Sequence, residues 1–155
     1  MGVFSFRAGA AALTAALAIS MCAFGTTAAR AAGTVMIRQS SGETNTYEDV
    51  AIKIIHSALY VTTPDGKGTL VINRAACSYQ EKLMVCLPTS ATLVQAGKTS
   101  PLDFQSGTLY LNNTDDYQPM VMSTTKVPPH SIVLSFSTKR GTYVSLSGRI
   151  DKVVK

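Results

Sequence analysis

The residues best equipped for chemistry are Cys77 and Cys86, which enclose the stretch SYQEKLMV. Eight intervening residues is not the CxxC spacing of a thiol redox site. A zinc centre would need two further nitrogen or sulfur ligands, and only His56 and His130 exist to supply them, neither at a recognisable metal spacing from the pair. The spacing suits a structural disulfide instead. With Glu81 and Lys82 forming a turn, Cys77 falls opposite Cys86, Ser78 opposite Val85 and Tyr79 opposite Met84 on two antiparallel strands, close enough to bridge. Glu-Lys is not a favoured two-residue turn, which leaves room for a longer tip.

Histidine catalysis needs a partner that orients the ring and a group that the ring activates. His56 lies within an apolar strand pattern, and His130 follows Pro128-Pro129 in a turn-like stretch. Ser57 and Ser131 adjoin them, but adjacency along the chain is not the geometry of a triad, and no GxSxG elbow is present. A small secreted hydrolase is therefore the least supported class, and no motif asks for a metal or a cofactor.

The densest polar cluster is LNNTDDYQP, residues 111–119. Asn112, Asn113, Asp115 and Asp116 offer oxygen ligands, and Tyr110 and Tyr117 flank them with rings able to stack on a sugar. These six are the candidate ligand-binding residues. Asn and Asp also serve any connection between strands, because they tolerate left-handed backbone and bond to their own main chain. Their spacing does not follow an EF-hand loop. Asn112-Asn113-Thr114 also matches a glycosylation acceptor.

The elements that must position these residues read as short strands. Val35-Met36-Ile37 begins one, and Val50, Ile52 and Ile54 share a face with Lys53 opposite, the period of two of a half-buried strand. HSALYVTT continues that run after a bend near His56 and Ser57. PDGKG at 64–68 is a strong turn signal. TLVIN, ATLV, GTLYLN, PMVMS, SIVLSFS and GTYVSLSGRI follow, each bounded by Gly, Pro, Asn or Asp. Only 93–98 could form so much as a helical turn. Nine to ten strands with regular turn signals predict an all-β fold, a single antiparallel β-sandwich or small β-barrel. Gly-Thr opens an apolar stretch at Gly68, Gly107 and Gly141, which reads as repeated turn-to-strand chemistry rather than a duplicated unit.

The N-terminus bears on compartment. A short start with one charge at Arg7, an apolar run over 8–24 and small residues around Ala29-Arg30-Ala31 have the layout of a secretory signal peptide spanning 1–31. The expected mature domain is 32–155, periplasmic or extracellular, which favours oxidation of the two cysteines it keeps. Cys22 departs with the signal, and no later stretch is long and apolar enough to span a membrane as a helix. Without Arg7 and Arg30, 12 basic residues face 9 acidic ones, a net of +3. The bases are scattered, with Lys139-Arg140 the only adjacent pair, so no concentrated face for nucleic acid exists. A mild positive balance is compatible with attraction to acidic envelope polymers. The expected role is non-catalytic: recognition of an envelope component or ligand through surface loops, or assembly with a protein partner through a strand edge near Val35–Ile37.

Overall fold

Alternation decides which way each strand faces. In Ser131–Thr138, Ile132, Leu134 and Phe136 are buried while Val133, Ser135 and Ser137 are half-exposed. In Thr44–Ile55, Val50, Ile52 and Ile54 point inward with Lys53 exposed, as their spacing predicts. A computed structural model describes residues 33–120 and 123–154. The expected signal peptide, and residues 121 and 122 of the strand expected over 119–123, lie outside the described residues.

The described chain is all-β. Its strands are β1 (Gly33–Arg38), β2 (Thr44–Ile55), β3 (Ala58–Thr62), β4 (Gly68–Gln80), β5 (Leu83–Gln95), β6 (Lys98–Leu102), β7 (Phe104–Asn112), β8 (Gln118–Pro119), β9 (Lys126–Val127), β10 (Ser131–Thr138), β11 (Tyr143–Arg149) and β12 (Lys152–Val154). Hydrogen bonding runs β1-β11-β10-β7-β5-β4-β3-β2, and β2 pairs back onto β1, so eight antiparallel strands close into a barrel. Closure resolves the choice between sandwich and barrel. It also pairs β1 on both sides, with β11 and with β2, so the strand edge anticipated at Val35–Ile37 is filled.

Two local devices permit closure. The β1–β2 register slips between Gly33 and Val35, and Asp49 beside the slip adopts a positive φ of 56°, the bulge that bends a strand around a barrel corner. Where β1 meets β11, Gly33 faces Gly148, and a Cβ on Gly148 would lie 2.4 Å from the Gly33 Cα. Only glycine allows this approach. The three Gly-Thr openings share no common role: Gly141 turns the chain at φ 82°, whereas Gly107 lies inside β7, paired with Phe136, where a Cβ would stand 2.5 Å from the Phe136 Cβ.

Connections are tight. His56 is not part of a strand, because it and Ser57 form the two-residue reversal between β2 and β3, with His56 at φ 53°. Residues 93–98 make no helical turn: β5 runs through Gln95, and Ala96-Gly97 reverse the chain at φ 50° and 73°. The β3–β4 turn forms where PDGKG predicts it. Inside the barrel, the branched residues of β2, β3, β10 and β11 pack with Leu109, Leu111 and Cys86 into one core. Among the described residues no helix is long and apolar enough to cross a membrane.

Candidate ligand-binding site

The strand pairing gives the barrel two unlike ends. One carries the β4–β5 tip and the 113–130 connection; the other carries the β1–β2, β3–β4 and β10–β11 connections.

The disulfide belongs to the first end. Cys77 and Cys86 are bonded, and their strands pair in the register read from sequence, including Ser78 with Val85 and Tyr79 with Met84. The two-residue tip is possible because Glu81 takes a positive φ of 57°. Cys86 is fully buried in the core, while Cys77 is exposed. The difference arises because β3 ends opposite Asn73, so β4 continues beyond Arg74 with β5 alone beside it. Arg74 closes the junction: its backbone N–H and its Nε donate to the Ser57 carbonyl, and a terminal guanidinium nitrogen donates to that of His56 at 2.9 Å.

The polar cluster lies at the same end. Asn112 is completely buried, and its amide organises the connection that follows. Nδ2 donates to the carbonyls of Asp116, Val127 and Pro128 at 2.7, 2.9 and 2.9 Å. Oδ1 accepts from the N–H and hydroxyl of Thr114 at 3.0 and 2.8 Å. Asn112 is thus committed to holding the loop. Tyr110 sits half-buried in β7 between Val85 and Val133, away from the loop crest. Asn113, Asp115, Asp116 and Tyr117 are exposed. Asp115 pairs with His130, with Oδ1 2.7 Å from Nε2. Ser131 donates its hydroxyl to the Pro129 carbonyl at 2.9 Å rather than to His130. Among the described residues no three His, Cys, Asp or Glu side chains gather as a metal set.

The opposite end holds a cavity of about 470 Å³, open to solvent at the barrel mouth. Its floor is apolar: Val35, Val61, Leu70, Leu93 and Val144 come from five strands, joined by Tyr47 and Leu102. Gln39, Ser40, Ser41, Thr63, Thr138 and Thr142 supply a hydroxyl and amide rim, and Glu43, Asp103 and Arg140 bring charges of both signs. The rim is braced. Thr142 donates its hydroxyl to the Gln39 side chain at 3.2 Å, and Thr138 and Thr142 exchange hydrogen bonds across the β10–β11 turn. Thr63 and Lys67 N–H bind Asp65 in the β3–β4 turn; the Thr63 hydroxyl, at 2.6 Å, is the main reason the Asp65 carboxyl is held below its ordinary range. Burial raises the Tyr47 phenol above its usual value. Lys139 and Asp103, 3.9 Å apart and both well exposed, form a screened surface pair of little energetic weight.

None of the six ligand-binding candidates read from sequence lines this cavity. Its floor residues are strand residues whose alternation marks them only as inward-facing, and its rim is gathered from connections far apart in the chain. Set against known protein families, curated proteins and solved structures, the chain matches none of them.

Proposed function

We propose that this chain is an exported, non-catalytic barrel that binds a small, predominantly apolar molecule in its mouth. The observation that carries the reading is the cavity itself: an apolar floor under a hydroxyl-rich rim, with a volume in the range of small-ligand sites. An eight-stranded barrel has an interior just wide enough either to fill with side chains or to hold one small ligand. Here one half is filled by the core and the other is open. Burying a ligand's apolar surface against that floor supplies affinity at about 25 cal/mol per Å² before ordering costs, and the rim suits a neutral hydroxyl, ether or carbonyl group. The signal-like N-terminus and the disulfide support an exported setting, where a protein with a sheltered apolar site can carry or sense a poorly soluble compound.

The test is titration with 1-anilinonaphthalene-8-sulfonate, an anionic fluorescent reporter of apolar sites, displaced by a panel of uncharged lipids and aromatic alcohols. Saturable binding that weakens at least tenfold in Leu93→Gln, a mouth residue outside the main core, supports the reading. Saturable binding unchanged in Leu93→Gln and abolished by Tyr117→Ala would move the site to the 113–117 loop. No binding by a folded protein would sink both.

A further inference from the structure

The outside of one wall of the barrel departs from the usual alternation. On an antiparallel sheet with one buried face, the other face is ordinarily polar and charged. Across β2, β3, β4 and β5 the outward positions pair in rows, and the central row reads Lys53, Tyr60, Val71, Thr92. Ile55 and Val94 stand outward in the flanking rows, half-buried like Tyr60 and Val71. The polar side chains of this wall are bonded to one another: the Thr62 and Thr69 hydroxyls lie 3.3 Å apart, and Asn73 donates its amide to the Ser90 hydroxyl at 2.9 Å. Covering the wall would therefore strand few hydrogen-bonding groups.

The charges around it are of one sign. None of residues 51–55, 58–62, 69–73 and 90–94 is acidic. At one edge Lys152 lies in register beside Lys53 on parallel neighbouring strands, both exposed and, among the described residues, neither in an ion pair. Neighbouring strands stand about 4.8 Å apart, so these two like charges oppose each other unless an anion answers them. Lys67 in the β3–β4 turn and Lys98 at the head of β6 are exposed at the mouth end of the wall. Asp65 and Asp151 border the wall and are both engaged, Asp65 within its own turn and Asp151 with the Ile52 N–H at 2.8 Å. Glu48 and Asp49 belong to the part of β2 that β3 does not reach.

We infer that this wall docks on an anionic lipid membrane, with Lys53 and Lys152 among the headgroup phosphates and Tyr60, Val71 and Val94 toward the boundary with the acyl chains. An apolar centre edged by lysines matches a surface that offers negative charge above and hydrocarbon beneath. The tyrosine ring, apolar in its body and polar at its hydroxyl, suits the level between the two. A second copy is a poor occupant, because its wall would bring lysines against lysines with no carboxylate on either face to answer them. An acidic polymer would engage the lysines and leave the apolar centre in water. The docking face is the outside of the wall, and its partner does not depend on what the mouth holds.

The experiment is co-sedimentation of the purified, oxidised protein with vesicles of phosphatidylcholine alone and of phosphatidylcholine mixed with phosphatidylglycerol, at low and at raised salt. Binding to the mixed vesicles that falls as salt rises, with none to phosphatidylcholine alone, is expected. Lys53→Glu with Lys152→Glu should weaken that binding at least about tenfold. Tyr60→Ser leaves the charge unchanged and should weaken it about fivefold. Lys82→Glu with Lys126→Glu makes the same change of charge away from the wall and should alter binding by no more than about twofold. Circular dichroism melts on each variant establish that the barrel is folded. A folded wild-type protein that leaves the mixed vesicles unbound at low salt overturns the inference. So does a reversal at Lys82 and Lys126 as damaging as the one on the wall, or binding indifferent to Tyr60→Ser. Capture on dextran sulfate beads without vesicle binding would assign the wall to an acidic polymer, and overturns it as well.

Discussion

Replacing Asn112 by Ala would take from the carbonyls of Val127 and Pro128 and the N–H of Thr114 the amide that now bonds them from a fully buried position, while the Asp116 carbonyl would keep the Thr114 hydroxyl. Each stranded buried group costs roughly 1–3 kcal/mol, and part of this is recovered as the loop loosens. Asn112→Ala should therefore lower stability by about 2–4 kcal/mol in a denaturant titration. A change below about 0.5 kcal/mol would mean that the loop does not depend on this amide. At Ala96 the effect runs the other way. Ala96-Gly97 both take positive φ, a conformation that strains an L-residue with a Cβ, whereas Asn-Gly is the preferred pair for such a hairpin. Ala96→Asn should raise stability by about 0.5–1 kcal/mol with no change in ligand binding, checked by the same titration alongside probe binding.

Among the elements, the β4–β5 arm depends most on covalent help. Beyond Asn73 it lacks β3, and the Cys77–Cys86 bond ties its free strand to the core through the buried Cys86. Closing a loop of about ten residues is worth roughly 2.5–3 kcal/mol in the chain-entropy model. Reduction should destabilise the protein by about that amount in urea, and hydrogen exchange should rise first at 75–85, ahead of the barrel strands. Uniform loss of protection would instead show that the bond supports the whole barrel. This arm was legible in the sequence because its information is local: two cysteines and an alternating pattern fix a register. So was the inward face of β2, where Val50, Ile52 and Ile54 alternate with Ala51 and the exposed Lys53. The bend read near His56 and Ser57 is a two-residue reversal, whose tightness the apolar surroundings masked because it needs only a tolerable positive φ. Closure itself was not legible, since pairing β1 with both β2 and β11 is a long-range fact to which no short stretch testifies.

At the scale of the molecule, the same barrel holds a packed half and an open half, and Tyr47 reports on the boundary. Its phenol lines the mouth, and burial has already raised its pKa. A neutral acid with a raised folded pKa adds stability that is fully present below its unfolded value, near 10, and is lost as pH rises through the folded value. Unfolding measured from pH 9 to 12 should therefore show a loss of stability beginning above about pH 10, diminished in Tyr47→Phe. An apolar ligand seated on the floor would remove more water from the ring and shift its titration further upward. Ultraviolet titration near 295 nm should then show one slow-titrating tyrosine moving to higher pH when the anilinonaphthalene probe is displaced by a tighter uncharged ligand, with the others unmoved. A tyrosine spectrum indifferent to saturating ligand would place the bound molecule elsewhere than the mouth, because no molecule can fill an apolar floor beside Tyr47 without changing the dielectric that sets its ionisation.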